Sequence, residues 1–239
     1  MRFTSRASVD GVLEQDFLHN DIPGVRWTPD DDGTDRPLIL LGHGGGQHSR
    51  APGVLAGARR FVTEGGFTVV ALDAPAHGGR PRTAEHEQAI AHLRAGGGPA
   101  ALHRLLAEQS VPEWQAVLDA LPAGPVGYFG LSMGCALGIA LIAREPRIHA
   151  AVLGLLGREP HEGPTGPEGL EADEAARVTV PVQFLMQWDD ALVPRHASLA
   201  LFDRLGSAEK TLHANPGGHG DVPRFETGNA LRFFARHLR

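Results

Sequence analysis

The stretch from residue 126 to 143 limits what this chain can fold into more than any other part of the sequence. It reads VGYFGLSMGCALGIALIA, a short apolar run, a serine between glycines and an apolar segment of helical length. We interpret it as a buried strand, a sharp turn centred on Ser132 and a buried helix. Gly130 and Gly134 complete the pattern G-x-S-x-G, and glycine suits both positions because a Cβ would collide with the packed strand or helix. Such a turn holds its serine up into solvent, so Ser132 is the candidate nucleophile.

Strands and helices are predicted to alternate from residue 37 to the end of the chain. Besides the strand before Ser132, strands are expected at 37–42, 67–73, 148–153, 180–186 and 210–214. Besides the helix after Ser132, helices are expected at 51–64, 83–95, 99–121, 195–205 and 225–238. This alternation is typical of the α/β class, with a mostly parallel central sheet and helices on both of its faces.

The remaining segments are predicted to extend this one sheet. Residues 1–36 contain weak alternating stretches separated by turn residues, and we interpret them as antiparallel edge strands. Residues 155–177 are rich in Gly, Pro and Glu, and we interpret them as a short cap-like insertion. The sequence has no internal repeat and no linker, so residues 1–239 are expected to form a single domain.

Composition and charge exclude several classes of function. The net charge of −6 and the lack of any Lys/Arg run argue against a nucleic-acid partner. No segment approaches the ~20 apolar residues of a membrane span, so no membrane partner is expected. The N-terminal residues lack the apolar region of a secretory signal, and the single Cys135 cannot form an internal disulfide. A cytoplasmic location is therefore expected, whereas the oligomeric state is not indicated.

A serine nucleophile requires a base, usually a histidine that a carboxylate holds in place. Because open sheets bind ligands at the carboxyl ends of their strands, the partners of Ser132 are expected after later strands. Asp190 follows the predicted strand at 180–186, and His219 follows the last predicted strand. Asp189 immediately precedes Asp190, and it stays open as an alternative acid.

These motifs together resemble the α/β-hydrolases, from about residue 37 to 238. The resemblance is greatest to the dienelactone hydrolase-like and acyl-esterase branches, which implies the α/β-hydrolase fold with at most a minimal cap. It rests on the serine turn, on the His-Gly-Gly-Gly run at 43–46, on Asp-x-x-Val-Pro at 190–194 and on Gly-Gly-His at 217–219. In the family the acid commonly precedes x-x-Val-Pro, which implies Asp190. A glycine often stands shortly before that acid, but Gln187 and Trp188 occupy its place here.

Attack on a carbonyl produces an oxyanion, which needs hydrogen-bond donors already in position. The geometry of the serine turn predicts one donor, the N–H of Met133. The resemblance implies that the second donor is the N–H of Gly45, assisted by Gly44. His43 is expected to orient this glycine loop through backbone hydrogen bonds rather than to transfer protons.

Neither a metal nor a cofactor is expected. The histidines nearest the motifs show no spacing typical of a zinc site. The glycines at 44–46 are not followed by Lys-Ser/Thr, so they do not form a phosphate-binding loop.

The resulting hypothesis is a serine hydrolase that cleaves small-molecule carboxylic esters through an acyl-enzyme intermediate. The short insertion at 155–177 predicts small or short-acyl substrates, because so small a cover cannot enclose a long acyl chain. A peptidase, an amidase or an acyltransferase could use the same three residues, and these alternatives stay open. A non-catalytic ligand-binding protein on this fold is the last alternative, and it conflicts with an intact set of catalytic residues.

Overall fold

The computed structural model describes residues 1–31, 33, 35–158 and 174–238. The strands in these ranges are β1 (Arg2–Phe3), β2 (Ala7–Val9), β3 (Val12–His19), β4 (Ile22–Pro29), β5 (Leu38–Gly42), β6 (Thr68–Leu72), β7 (Val126–Leu131), β8 (Ile148–Gly154), β9 (Val182–Gln187) and β10 (Lys210–Asn215). The helices are α1 (Pro52–Gly65), α2 (Ala84–Arg94), α3 (Ala100–Asp119), α4 (Met133–Ile142), α5 (Arg195–Arg204) and α6 (Phe225–His237), and residues 174–177 add one helical turn.

All of these strands belong to one sheet, in the order β1-β3-β4-β6-β5-β7-β8-β9-β10, with β2 paired to β3. The ladders from β6 through β5, β7, β8 and β9 to β10 are parallel. β4 pairs antiparallel with β6, and β1 to β3 extend that edge of the sheet in antiparallel pairs. The expected α/β class, with a mostly parallel sheet, is confirmed.

Apolar side chains fill the space on both faces of the sheet. On one face Leu40, Tyr128 and Leu106 belong to the core against α3 and α4. On the other face Trp27 and Phe61 belong to the core against α1 and α6. This double burial explains why β5 is apolar at consecutive positions instead of alternating with polar residues.

From residue 37 onward, the bounds predicted for these strands and helices agree with the observed ones to within two residues at each end. The helix expected at 99–121 runs from 100 to 119 and continues through Pro112. Residues 159–173, which make up most of the expected insertion at 155–177, lie outside the described residues. Over the part of the chain that the structure describes, no helix has the length and apolar character needed to cross a bilayer.

Candidate active site

Ser132 lies on the turn between β7 and α4, in a backbone conformation that side-chain-bearing residues rarely adopt. Its φ is 57° and its ψ is −124°. The turn is tight: a Cβ on Gly134 would lie 2.8 Å from the carbonyl oxygen of Gly42, and one on Gly130 would overlap the Gly134 carbonyl. The Ser132 N–H donates to the carbonyl of Gly154 at 2.9 Å, which fixes the turn to the neighbouring strand. The strain is therefore held by close packing on both sides.

The structure brings Ser132, His219 and Asp190 together at the carboxyl ends of β7, β10 and β9. His219 Nε2 lies 3.0 Å from Ser132 Oγ, and His219 Nδ1 lies 2.7 Å from Asp190 Oδ2. The other oxygen of Asp190 accepts the backbone N–H groups of Leu192 and Val193, at 2.8 and 3.0 Å. The Asp190 side chain is only 2% exposed, so its orientation is fixed by these bonds.

Asp189, the alternative acid, points away from His219. Its side chain is 60% exposed and forms an ion pair with Arg195 at 3.3 Å. Its Oδ2 accepts the N–H of Gly217 at 3.3 Å, which links it to the loop that carries His219 but not to the imidazole. Of the two adjacent acids, only Asp190 is in hydrogen-bond contact with His219.

His43 holds the glycine loop through both of its ring nitrogens. Nε2 accepts the N–H of Ala74 at 3.0 Å, and Nδ1 lies 2.9 Å from the carbonyl oxygen of Gly44. Burial lowers the pKa of His43 to about 4, so the ring is neutral at pH 7 and Nδ1–H is the donor to Gly44. Because C=O and N–H point in opposite directions across a trans peptide, the N–H of Gly45 faces away from the His43 ring.

Met133 and Gly45, the two residues expected to supply backbone donors, lie side by side near Ser132. Met133 is the first residue of α4, where N–H groups have no partner within the helix. Gly45 lies beside it, since a Cβ on Gly45 would be 3.9 Å from the Cβ of Met133. The N–H of Gly44 donates to Oε1 of Gln47 at 3.3 Å, so it is already engaged within the loop.

A buried polar cluster around Glu226, which the sequence reasoning missed, supports the loop that carries His219. Glu226 lies in the first turn of α6 and accepts hydrogen bonds from His213, Asn215 and Asn229 at 2.8 to 3.1 Å. Burial raises the pKa of Glu226, but these three hydrogen bonds outweigh it, and the pKa is lowered overall. The only sequence signal was an acidic residue at the start of the last helix, where it interacts favourably with the helix dipole.

Among the described residues, no group of three or more His, Cys, Asp or Glu side chains is placed to hold a metal ion. His77, which lies beside His43 with 5.4 Å between ring centres, has its Nδ1 2.8 Å from the carbonyl oxygen of Pro75.

A cleft of about 760 Å³ opens beside Ser132 and His219. It extends past the glycine loop, and α1 contributes Gly53, Val54, Ala56, Gly57, Arg60 and Phe61 to its lining. Further lining residues come from β7 and from the start of α6 with the loop before it. The cleft is large enough for a small organic molecule and contacts both candidate reacting groups.

Comparison with known proteins identifies the family. No protein-family model and no curated protein sequence matches the chain. Among solved structures, the chain is similar to a cold-adapted esterase from an Arctic intertidal metagenomic library, solved as a PEG-bound complex. The two are 32% identical over the full length of both chains, with a TM-score of 0.81. The chain belongs to the α/β-hydrolase esterases. This esterase is a carboxylic ester hydrolase.

Two further solved structures also match this esterase. The native structure of the Arctic esterase matches with 30% identity and a TM-score of 0.76, again over both full chains. Acetyl xylan esterase 1 from Thermoanaerobacterium sp. JW/SL YS485 is 20% identical, with a TM-score of 0.73. That match covers 98% of the present chain and 87% of the acetyl xylan esterase chain, and at this identity it shows the fold alone.

Proposed function

We propose that this esterase hydrolyses small or short-acyl carboxylic esters through an acyl-enzyme intermediate on Ser132. The observation that carries the proposal is the chain of hydrogen bonds from Ser132 Oγ through both nitrogens of His219 to Asp190, at 3.0 and 2.7 Å. Three residues from three distant loops meet within hydrogen-bond distance in the order that nucleophilic catalysis requires.

In the first half of the reaction, Ser132 Oγ attacks the ester carbonyl while His219 Nε2 takes the hydroxyl proton. Asp190 accepts a hydrogen bond from Nδ1–H, which keeps Nε2 available as the base and stabilises the imidazolium that forms. Collapse of the tetrahedral intermediate breaks the bond to the alcohol, and His219 donates its proton to that leaving oxygen. A water molecule, deprotonated by His219, then attacks the acyl-enzyme; the bond from the acyl carbon to Ser132 Oγ breaks, His219 returns the proton to Oγ, and the acid is released.

The negative oxygen of each tetrahedral intermediate is stabilised by the N–H groups of Met133 and Gly45. The assignment of Gly45 over Gly44 is supported by the hydrogen bond that already engages the Gly44 N–H with Gln47. His43 is a positioning residue, since its bond to the Gly44 carbonyl fixes the peptide that contains the Gly45 N–H. Loss of one oxyanion donor typically lowers kcat by about 10²–10³-fold.

We further propose that residues 1–239 form one domain that acts in the cytoplasm on small-molecule esters, without a nucleic-acid partner. Continuous pairing from β1 to β10 supports the single domain, because no break in the sheet divides the described residues. The net charge of −6 supports the expectation about nucleic acids. The sequence has a single cysteine, so no internal disulfide can form, which supports the cytoplasm because a reducing compartment does not threaten the fold.

The proposal is tested with p-nitrophenyl acetate. Ser132→Ala is expected to lower kcat by about 10⁴–10⁶-fold, because it removes the attacking oxygen. Ser8→Ala, on the exposed strand β2, serves as the matched control and should retain full turnover. Unchanged turnover in purified Ser132→Ala would defeat the assignment. A fluorophosphonate probe should label the unmodified enzyme and Ser8→Ala, but not Ser132→Ala.

The preference for short acyl groups is tested with p-nitrophenyl esters of increasing chain length. The value of kcat/KM is expected to be greatest for short acyl groups. A maximum at twelve or more carbons would contradict the preference. Matched anilides distinguish ester cleavage from amide cleavage at the same serine.

A further inference from the structure

The cleft beside Ser132 continues along one face of α1, and that face has an unusual composition. Gly53, Gly57 and Arg60 all line the cleft. Their spacing of four and three residues places them on the same side of the helix. Two residues without side chains are thus followed, on the same face, by one with the longest cationic side chain.

Neither glycine is required by the packing of α1. Gly57 lies inside the helix, where glycine costs about 1 kcal/mol relative to alanine, whereas Gly53 lies in the first turn. A Cβ on Gly53 would meet no atom within 4 Å, and one on Gly57 would meet only Leu41 Cδ1, at an ordinary contact distance of 3.9 Å. Neither position therefore needs glycine for close packing, and neither has the positive φ that favours glycine. Glycine at these positions keeps the cleft open along α1.

Arg60 reaches across from α1 to the loop before α6. Its Nη1 donates to the carbonyl of Arg224 at 2.9 Å, and its Nε donates to Glu64 at 2.8 Å. Nη2 lies against Gly228, where a Cβ would approach it to 3.1 Å. Within the described residues no hydrogen bond uses Nη2 as donor, so the guanidinium of Arg60 keeps donor capacity beyond its bonds to Arg224 and Glu64.

The electrostatic character of the cleft favours an anion. Its described lining includes Arg60 and Arg224 but no aspartate or glutamate, although the chain as a whole carries a net charge of −6. The N-terminus of α1 also opens into the cleft, with no acidic residue in its first turn and no side-chain cap. Nearby, Glu64 is half-exposed in its pair with Arg60, and Glu226 is buried in its own hydrogen-bonded cluster.

We propose that the acyl part of the substrate lies along the Gly53–Gly57 face of α1 and ends in a carboxylate that binds Arg60. The substrates are then half-esters of short dicarboxylic acids, with the scissile ester at Ser132 and the free carboxylate at the guanidinium of Arg60. This inference rests on the proposed function, because it assumes that the ester reacts at Ser132.

The test compares monomethyl succinate, glutarate and adipate with uncharged methyl esters of the same chain length. The readout is the ratio of kcat/KM for the half-ester to kcat/KM for its uncharged counterpart. Arg60→Gln removes the charge but keeps hydrogen-bonding capacity, and it is expected to lower this ratio by about 10–100-fold, mainly through KM. Arg60→Lys should restore part of the ratio. The matched control is Arg59→Gln, which removes the neighbouring charge; Arg59 is not among the cleft residues and lies 4.0 Å from Glu14.

Gly57→Leu provides a second test that does not depend on the charge of Arg60. A leucine at this position is expected to fill the cleft along α1 and to lower kcat/KM for adipate half-esters more than for acetate esters.

Two results would overturn the inference: an unmodified enzyme that shows no preference for the half-esters, or equal effects of Arg60→Gln and Arg59→Gln on the ratio. The proposed function is tested separately, by whether Ser132→Ala loses turnover of acetate esters. If the unmodified enzyme hydrolyses acetate esters and Ser132→Ala does not, but no half-ester preference is found, only the inference about Arg60 fails. If the unmodified enzyme hydrolyses no ester at all, the proposed function fails.

Discussion

Replacement of Asp190 by asparagine is expected to disable the enzyme by changing the tautomer of His219. The backbone N–H groups of Leu192 and Val193 both donate to Asp190 Oδ1. An asparagine at this position must direct its amide oxygen to those two donors, so its NH₂ group is directed to His219 Nδ1. A donor at that position requires an unprotonated Nδ1, which moves the ring proton to Nε2. Nε2–H can no longer accept the proton of Ser132.

The size of the effect follows from the loss of the base. Asp190 Oδ2 is 2.7 Å from Nδ1 and its side chain is almost fully buried, so water cannot restore the lost interaction. We expect kcat for p-nitrophenyl acetate to fall by about 10⁴-fold, equivalent to about 5.5 kcal/mol of transition-state stabilisation. The remaining rate reflects substrate binding and the oxyanion donors.

Asp189→Asn provides a matched control, because it makes the same chemical change one residue away. Its exposed ion pair with Arg195 contributes about 0–1 kcal/mol to stability, and kcat should stay close to that of the unmodified enzyme. Circular dichroism and thermal unfolding of both variants check that the fold is retained. Equal losses of kcat in the two variants, or a larger loss in Asp189→Asn, would refute the assignment of Asp190.

Three further predictions concern stability, each measured by urea unfolding. Gly138→Ala should destabilise the fold by about 1–3 kcal/mol, although alanine favours helices, because its Cβ would overlap the buried Tyr128 ring; an unchanged midpoint would contradict this. Lys210→Met should lower the free energy of unfolding by about 1.5–3 kcal/mol, because Nζ donates to three carbonyl groups at the end of α5 at 2.9 to 3.1 Å. An unchanged free energy of unfolding would mean that these hydrogen bonds do not stabilise the fold. Burial lowers the pKa of His103 from its ordinary value of about 6.5 to about 4. As the pH falls through this range, the unfolded chain binds the proton before the folded chain does, so His103 removes about 3 kcal/mol of stability. His103→Leu should flatten this pH dependence of the free energy of unfolding correspondingly.

The fold was predictable because its signals are local. Apolar runs, turn residues and helix periodicity occur within short windows, and the parallel sheet follows from their alternation. The serine turn was equally readable, since Gly130 and Gly134 are required by contacts with residues close in sequence or with the adjacent strand. The order of Ser132, Asp190 and His219 could also be inferred, because each follows a predicted strand.

The choice between Asp189 and Asp190 could not be made from the residues alone. Both are aspartates at the end of one strand, and they differ only in the direction that the following turn gives them. That direction depends on the N–H groups of Leu192 and Val193, which bind one oxygen of Asp190 and turn the other toward His219. A sequence pattern records which residues are present, but it does not record this rotation.

The walls of the cleft were still less accessible to sequence reasoning, because they are formed by residues far apart in the chain. In the sequence, Gly53 and Gly57 look only like residues that weaken a helix. The structure shows that a Cβ at either position would meet no atom closer than 3.9 Å. Arg60 similarly resembles a surface residue in an i,i+4 pair with Glu64. Its bond to the Arg224 carbonyl, 164 residues away, places it in the wall of the site. The features that identify the chemistry are therefore local motifs, whereas the cleft wall proposed to bind the substrate forms only when α1 and α6 are packed on the same face of the sheet.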